Sequence, residues 1–352
     1  MFRVHTICLI FLSSLIIPAP GYAGVTNPDI SVIGQLIFKY HNDKTAQDAH
    51  RPTLDLGETE LVFDSYLNPY AKGFFVFTVG DNEGLRTEEA YIDVLKGLPD
   101  GLALRGGKYR IGFGKLNPVH PHAYSFIEAP RVMAAMLPGE EGFNDVGAHA
   151  SYLLPTFGSW ASDISADFLK GASFHPDEPE SRAGWASRWG NSALLNDAIP
   201  LDIGISATQG VNNAQWKTKT VVYGADIKTR IAFSGLTNLT LQGEYLYNNS
   251  EVVIDTSTGD SSRIRRQGFY FFADLKFKQR WNAGIIYDQY QPIENKNLTN
   301  RAIKGFIGFS LLEETTLLRL SYEHFKPENS HAVHTAMLQV LFSMGPHKAH
   351  KF

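Results

Sequence analysis

The residues most suggestive of chemistry lie between positions 106 and 122, where the chain reads GGKYRIGFGKLNPVHPH. Glycines beside cationic side chains are typical of loops that bind phosphate, and two closely spaced histidines are typical of metal ligands. A nucleotide-binding loop continues from Gly-Lys into Ser or Thr. Here Tyr109 follows the first Gly-Lys pair and Leu116 follows the second. The pattern therefore excludes a phosphate loop of that type and leaves His120 and His122 as metal candidates.

The same stretch alternates between polar and apolar side chains with a period of two. Lys108 and Arg110 fall on one face of an extended chain, whereas Tyr109 and Ile111 fall on the other. This period is that of a β-strand. We therefore predict a strand over residues 102–113 whose polar face carries Lys108 and Arg110.

Comparable alternation recurs along most of the chain. In residues 238–248, Leu239 and Tyr245 lie on one predicted face, and Gln242 and Glu244 lie on the other. Such strands are apolar on one side and wet on the other. Beyond the N-terminal region no run of about twenty apolar residues occurs, so membrane-spanning helices are not predicted.

The connections between these segments differ systematically in length. Short links such as residues 97–101 and 155–159 alternate with long polar ones such as 41–52, 115–144 and 248–265. Short turns at one end and long loops at the other are typical of an outer-membrane barrel. Keeping all long loops at one end requires one further crossing, which residues 183–190 (AGWASRWG) can supply. The fold class predicted is all-β, a transmembrane antiparallel β-barrel of about 16 strands of the bacterial outer-membrane type.

The N-terminus predicts export. Residues 1–23 combine a basic start, an apolar run too short to span a bilayer and small residues at the end, which is the pattern of a signal peptide. The barrel domain is then residues 24–352, and the outer membrane is its predicted location. The single cysteine, Cys8, lies in the leader, so no disulfide or cysteine ligand is predicted for the barrel. A net charge of −4 without a basic stripe gives no indication of nucleic-acid binding.

Two blocks carry a resemblance to a known family. The first reads Gly-Lys-aromatic-basic-x-x-Phe-Gly from residue 107, and the second reads Gly-x-x-Asp-x-Gly from residue 142. Together they resemble the fifth and sixth strands and the intervening loop of porins related to the phosphate-selective porin O and P family. The resemblance is specific over residues 100–155 and architectural elsewhere. It implies a sixteen-stranded pore, commonly a homotrimer, through which small hydrophilic solutes diffuse.

The resemblance also implies that the third external loop, residues 115–144, folds into the pore as a constriction. Candidate residues of this loop are Lys115, Glu128, Arg131, Glu140 and Glu141, and candidate wall residues are Lys108, Arg110, Lys228, Arg230 and Lys276. The loop carries two cations against three glutamates, so its charge does not predict phosphate selectivity. Over the whole predicted lumen the two signs nearly balance.

Three other interpretations fit parts of the sequence. His120 and His122, with a carboxylate, could bind zinc or copper, which would make the protein a metal-related channel or a receptor-like barrel without a plug. His149 and Ser151 share a strand face at the spacing of outer-membrane phospholipases, although no acidic partner is evident, so a hydrolase is a remote alternative. A periplasmic β-protein with a buried face would show the same alternation.

The prediction for function is passive diffusion of small polar solutes or ions through an outer-membrane porin, without catalysis and without a cofactor. The partners predicted are the lipid bilayer and lipopolysaccharide, the permeating solutes, and further copies of the chain in a homotrimer.

Overall fold

The computed structural model describes residues 28–80, 84–139, 142–175, 181–196, 198–233, 235–312 and 315–345. The predicted signal peptide and the candidate residues Glu140 and Glu141 lie outside these ranges. Within them the chain forms a single antiparallel sheet in which every strand, apart from the short segment 53–56, pairs on both sides, so that the sheet closes on itself.

Seventeen strand segments build the sheet. They are β1 (Asp29–His41), β2 (Thr53–Leu56), β3 (Thr59–Asn68), β4 (Ala71–Val79), β5 (Arg86–Val94), β6 (Leu102–Arg110), β7 (Asn144–Leu153), β8 (Ala161–Leu169) and β9 (Gly184–Leu195). They continue with β10 (Ile199–Asn213), β11 (Thr218–Ala232), β12 (Asn238–Asp255), β13 (Asp260–Phe277), β14 (Trp281–Tyr290), β15 (Asn300–Leu312), β16 (Thr316–Lys326) and β17 (Val333–Met344).

The segments β2 and β3 are one crossing with a break at residues 57–58. Both pair with β1, through Leu36 opposite Leu56 and Ile33 opposite Glu60. The barrel therefore has sixteen crossings, and β1 pairs with β17 to close it. This confirms the predicted fold class and strand number. The crossing predicted over residues 183–190 is β9.

The two faces of the wall follow the alternation read in the sequence. Ile205 and Ile227 point outward and are 55% and 49% exposed, whereas Asp226 and Gln242 point inward and are 7% and 3% exposed. An apolar outer belt suits the lipid, and closure leaves no strand edge whose backbone groups would lack partners there.

The prediction of a long loop over residues 248–265 is wrong. β12 and β13 run on as a paired hairpin, with Asn249 opposite Arg265 and Glu251 opposite Arg263, and only residues 256–259 form the turn. These extensions mix polar residues with a short apolar run, Val252, Val253 and Ile254. They carry no alternation, and hydropathy therefore cannot distinguish them from a loop.

Helical structure is sparse among the described residues. It consists of α1 (Arg131–Met136) and two single turns of 3₁₀-helix, Pro121–Ala123 and Ala172–Phe174. None of the described helices has the length and apolar composition needed to cross a membrane.

The outer face makes a depth-dependent prediction. Replacing Ile227, near the middle of β11, by Arg should lower the free energy of unfolding in lipid vesicles by about 2–4 kcal/mol, because a guanidinium is poorly solvated in hydrocarbon. Denaturant titration of the vesicle-inserted protein measures this. The control is Leu236→Arg, in the turn after β11, where a cost of about 0–1 kcal/mol is expected. Equal costs at the two sites would contradict the assignment of this face to the lipid.

Candidate functional site

The connection between β6 and β7, residues 111–143, is here called the inner loop, and its described residues, 111–139 and 142–143, lie inside the barrel. The backbone N–H of Gly114 donates to Ser206 Oγ on β10 (3.2 Å), and that of Arg131 donates to Asp288 Oδ2 on β14 (2.9 Å). From β16, Arg319 donates to the carbonyl oxygen of His122 (3.0 Å). The inner loop thus starts at one part of the wall and crosses the lumen to strands far around the ring.

A single amide holds the neck of the inner loop together. Asn117 Nδ2 donates to the carbonyl oxygens of Ile111 (2.7 Å) and Phe143 (2.9 Å), while its Oδ1 accepts from the N–H of Phe143 (2.8 Å). Asn117 is buried, so these backbone groups have no water to replace it. The two ends of the loop are therefore fixed at the wall before the chain enters the lumen.

The next contact depends on a glycine. Gly114 has a φ of +66°, and a Cβ there would lie 2.0 Å from Glu244 Oε2. Glu244 Oε1 accepts from the N–H groups of Lys115 (2.9 Å) and Leu116 (2.8 Å) and from the Tyr270 hydroxyl (2.7 Å). Glycine permits both the left-handed turn and the close approach of the backbone to this buried carboxylate.

Apolar side chains fill the space between the inner loop and the wall. The ring of Phe126 lies 5.4 Å from that of Phe272 and 5.7 Å from that of Phe306. A Cβ on Gly268 would lie 2.6 Å from Val132 of α1, so this wall glycine leaves room for the helix. Each large apolar side chain buried in this way stabilises the arrangement by roughly 1.5–3 kcal/mol. The inner loop is therefore packed as a core.

Ion pairs and carbonyl contacts hold the far end of the inner loop. Arg131 Nε donates to Glu323 Oε1 (3.0 Å), and its guanidinium lies over the Phe325 ring at 4.0 Å. Lys304 Nζ donates to the Glu128 carbonyl (3.2 Å) and lies 3.7 Å from the Glu128 carboxylate. The predicted residues Glu128 and Arg131 thus bind the wall at β15 and β16.

The two histidines of the HPH motif meet carboxylates of the wall. His122 Nδ1 lies 2.7 Å from Glu60 Oε1 on β3, and His120 Nε2 lies 2.9 Å from Glu89 Oε2 on β5. Burial by itself would lower the pKa of His120. The hydrogen bond to Glu89 and the charges of Glu60 and Glu88 outweigh burial and raise that pKa.

A β-bulge brings two adjacent glutamates to this cluster. Val76 of β4 pairs with Glu89, but Phe77 pairs with Thr87, so Glu88 is an extra residue in β5. Adjacent residues of a regular strand point to opposite faces, and a bulge re-aims one of them. Glu88 therefore also reaches the inner side, where its Oε1 accepts from Arg110 NH1 (2.9 Å).

On the side of the short turns, the inner loop bounds a chamber of about 780 Å³. Six cationic side chains line the chamber among the described residues: Lys115, Lys228, Arg230, Lys276, Arg280 and Arg319. Asp274 is the only carboxylate of the described lining. Four of the predicted site residues, Lys115, Lys228, Arg230 and Lys276, thus meet in one place. Arg280 was not predicted, although the cationic run KFKQR at residues 276–280 signals it.

The position predicted for Lys108 is wrong. Tyr109 is 2% exposed and its hydroxyl donates to Asp167 Oδ1 (2.9 Å), so Tyr109 points inward. Lys108 lies on the opposite face beside Val146, and its Nζ donates to the Thr87 carbonyl (2.6 Å). The prediction placed Lys108 on the inner face because the residue is charged. A lysine near a strand end can nevertheless lie on the outer surface while its ammonium reaches a polar group.

Arg110 is buried at the neck of the inner loop rather than exposed to the lumen. Its Nε donates to the Asn117 carbonyl (2.9 Å), in addition to the contact with Glu88. The sequence did not predict the carboxylates that receive the loop. The pairing of Glu60 with His122 joins residues 62 positions apart, and no local pattern reports that contact.

Of the two contacts that the hydrolase hypothesis requires, the described residues show the one between histidine and carboxylate but not the one between histidine and serine. His149 Nδ1 lies 2.8 Å from Asp167 Oδ1, so the histidine has the acidic partner that was not evident in the sequence. No hydrogen bond joins His149 to Ser151 in the described part of the chain. The nucleophile and base of a triad must be in hydrogen-bond reach, and this pair is not.

Comparison with known proteins shows the fold. No family model matches the chain. A protein of Aquifex aeolicus (strain VF5), described as uncharacterized, is 26% identical over 389 residues, covering 92% of this chain and 80% of the relative. The structure is similar to an anion-selective porin from Comamonas acidovorans, with a TM-score of 0.61 and 11% identity over 91% of this chain and 100% of that one.

Two further structures are similar to the same extent. The outer-membrane channel DcaP of Acinetobacter baumannii has a TM-score of 0.61 and 11% identity over 91% of this chain and 97% of that one. The trimer form of OmpT from Vibrio cholerae has a TM-score of 0.60 and 10% identity, covering 91% and 99%. The fold is that of an outer-membrane porin. It agrees with the predicted outer-membrane location, and the narrower family resemblance is not confirmed.

The Gly114 contact predicts how the inner loop is held. Gly114→Ala should cost about 1–3 kcal/mol through strain in the left-handed turn, and it should also separate the loop backbone from Glu244. We expect faster limited proteolysis of the inner loop in the folded barrel.

The matched control is Gly112→Ala in the same loop, because a Cβ there meets nothing within 4 Å. Equal proteolysis rates for the two variants would contradict the role assigned to Gly114.

Proposed function

We propose that the protein is an outer-membrane porin for passive diffusion of small hydrophilic solutes, with a preference for anions. The observation that carries the preference is the chamber beside the inner loop, where six cations face one carboxylate within the described lining. Rings of fixed charge near a constriction set the sign of the permeating ion. The near-balance of charges over the whole lumen matters less, because selectivity follows the narrowest part.

The acidic side chains of the lumen support this interpretation, because many of them are engaged with the inner loop or with the wall. Asp288 accepts from the loop backbone, Glu323 binds Arg131 and Lys304, and Asp226 binds Arg188 (2.5 Å). A carboxylate already paired contributes little net potential to a passing ion. Among the chamber cations Lys115 is likewise paired, with Asp202 (3.3 Å), so the proposal rests on the excess of cations over the one carboxylate of the described lining.

The preference proposed is for anions as a class. The chamber cations come from separate strands, with Lys228 and Arg230 on β11, Lys276 on β13 and Arg319 on β16. Long side chains from different strands attract negative charge without the fixed bidentate geometry that recognises one anion. We therefore propose a preference for anions in general and no specific recognition of phosphate.

Planar-bilayer recording of the refolded protein tests the proposal. We expect stepwise conductance and, in a KCl gradient, a reversal potential whose sign corresponds to chloride permeation exceeding potassium permeation. Folded protein without conductance would contradict the porin function. Conductance with a cation-selective reversal potential would contradict the anion preference alone.

The chamber cations predict the effect of neutralising them. The triple variant Lys228→Gln, Arg230→Gln and Lys276→Gln should move the reversal potential toward zero or past it, because the local positive potential is lost. The control is Lys219→Gln, an exposed position on the outer face of β11. A triple variant with the wild-type reversal potential would show that the chamber does not select the ion.

We also propose that the chain assembles as a homotrimer. The fold similarity to the trimer form of OmpT supports this proposal. Light scattering of the detergent-purified protein should give a mass of three chains, and a monomeric mass under conditions that preserve conductance would contradict it.

A further inference from the structure

Three buried polar atoms at the HPH motif have no hydrogen-bond partner. They are His120 Nδ1, Glu60 Oε2 and Glu88 Oε2. His120 Nδ1 lies 3.7 Å from Glu60 Oε2 and 3.7 Å from Glu88 Oε1. The side chains of these three residues are only 5–12% exposed, so bulk solvent hardly reaches them. Glu60 Oε2 and Glu88 Oε1 thus face His120 Nδ1 from two strands of the wall, and Glu88 Oε1 also accepts from Arg110 NH1 (2.9 Å).

The second nitrogen of His120 determines what this volume can accept. Nε2 lies 2.9 Å from Glu89 Oε2, so Nε2 carries a hydrogen and donates it to that carboxylate. Metal binding requires the neutral imidazole, whose Nδ1 lone pair then points toward the volume that oxygens of Glu60 and Glu88 also face. The 3.7 Å separations are too long for hydrogen bonds. They match two ligands of one metal ion, which lie about 3.4 Å apart when bonds of about 2.0–2.2 Å meet at a tetrahedral angle.

We propose that Glu60, His120 and His122 bind a Zn²⁺ ion, with Glu88 as the fourth ligand. One ligand atom from each of the first three residues lies within 4.8 Å of the others. Two imidazole nitrogens with carboxylate oxygens form a ligand set that zinc prefers. Glu89 orients the His120 ring by accepting from Nε2 (2.9 Å), as a carboxylate commonly does for a metal-bound histidine.

The charge of the cluster agrees with a divalent cation. Three carboxylates, Glu60, Glu88 and Glu89, face the guanidinium of Arg110 and two imidazoles. If both imidazoles are neutral, the carboxylates exceed the guanidinium by two negative charges. Zn²⁺ supplies the two positive charges that would otherwise require two protons, and a buried cluster of uncompensated charge is costly.

The consequence is a clamp between the inner loop and the wall. Both histidines belong to the loop, whereas Glu60 lies on β3 and Glu88 on β5. His122 also lines the chamber, so the ion can reach the site from the lumen. An effect of the bound ion on permeation rests on the proposed porin function. Zinc binding itself does not depend on that function.

Zinc titration of the full chain tests the site. The protein is purified without a polyhistidine tag, treated with a chelator and titrated calorimetrically in detergent at mildly alkaline pH. We expect one Zn²⁺ per chain and, with Co²⁺ as a probe, the visible absorption of a tetrahedral site. Glu60→Gln and His122→Ala should each weaken binding at least about 10-fold.

The control variant is His334→Ala. The rings of His334 and His324 are tilted by 56° with centroids 4.8 Å apart, and the two residues form a competing histidine pair outside the inner loop. Its loss should leave zinc affinity unchanged. Circular dichroism and heat-dependent gel mobility establish that each variant is folded, and Glu60→Gln keeps the size of the side chain if His122→Ala does not fold.

Absence of zinc binding by the wild-type protein, or wild-type affinity in folded Glu60→Gln, would overturn the proposal. Loss of binding in His334→Ala would assign the ion to the other histidine pair and overturn it as well. Conductance recorded on the same preparation separates the two proposals: conduction without zinc binding rejects only the metal site, and zinc binding without conduction rejects only the porin.

Discussion

The structure depends on buried carboxylates of the wall that accept hydrogen bonds from the inner loop. Glu244 and Asp288 bind backbone N–H groups of the loop, and Glu323 binds Arg131. An ionised carboxylate away from water is costly unless donors surround it, and an irregular backbone inside a barrel needs acceptors. Each side supplies what the other lacks, so the position of the loop and the charge of the wall are determined together.

This mutual requirement divides the lumen into two electrostatic regions. Where the inner loop meets the wall, carboxylates of the wall accept hydrogen bonds from the loop. On the side of the short turns, Lys228, Lys276 and four further cations among the described residues line the chamber. A chain whose charges nearly balance in sequence can therefore present a strongly one-signed surface to a solute.

The strands could be predicted from the sequence because lipid on one side and polar contacts on the other impose a period of two. The order of strands also followed, since antiparallel neighbours joined in sequence leave one closed arrangement. Faces were harder to assign. The bulge at Glu88 changes the alternation of β5, and Lys108 lies on the outer surface because its ammonium reaches a carbonyl.

The wall residues that hold the inner loop could not be predicted, because their contacts with the loop join residues far apart in the sequence. The sequence marked His120 and His122 as unusual, yet the carboxylates that meet them come from two other strands. Local patterns report which face a residue takes and which segment it belongs to. They do not report which side chain from another part of the ring will be opposite.

The sequence separation between the inner loop and the wall residues that hold it also constrains the order of assembly. Lys115 and Glu244 are separated by 129 residues, and Arg131 and Glu323 by 192. When β6 and β7 form, the strands that receive the loop have not yet joined the sheet if the wall grows from the N-terminus. The loop can settle only after β16 is in place, so its ordering is a late event that requires a nearly complete ring. A barrel that stops short of closure leaves the apolar side chains of the loop without the wall against which they pack.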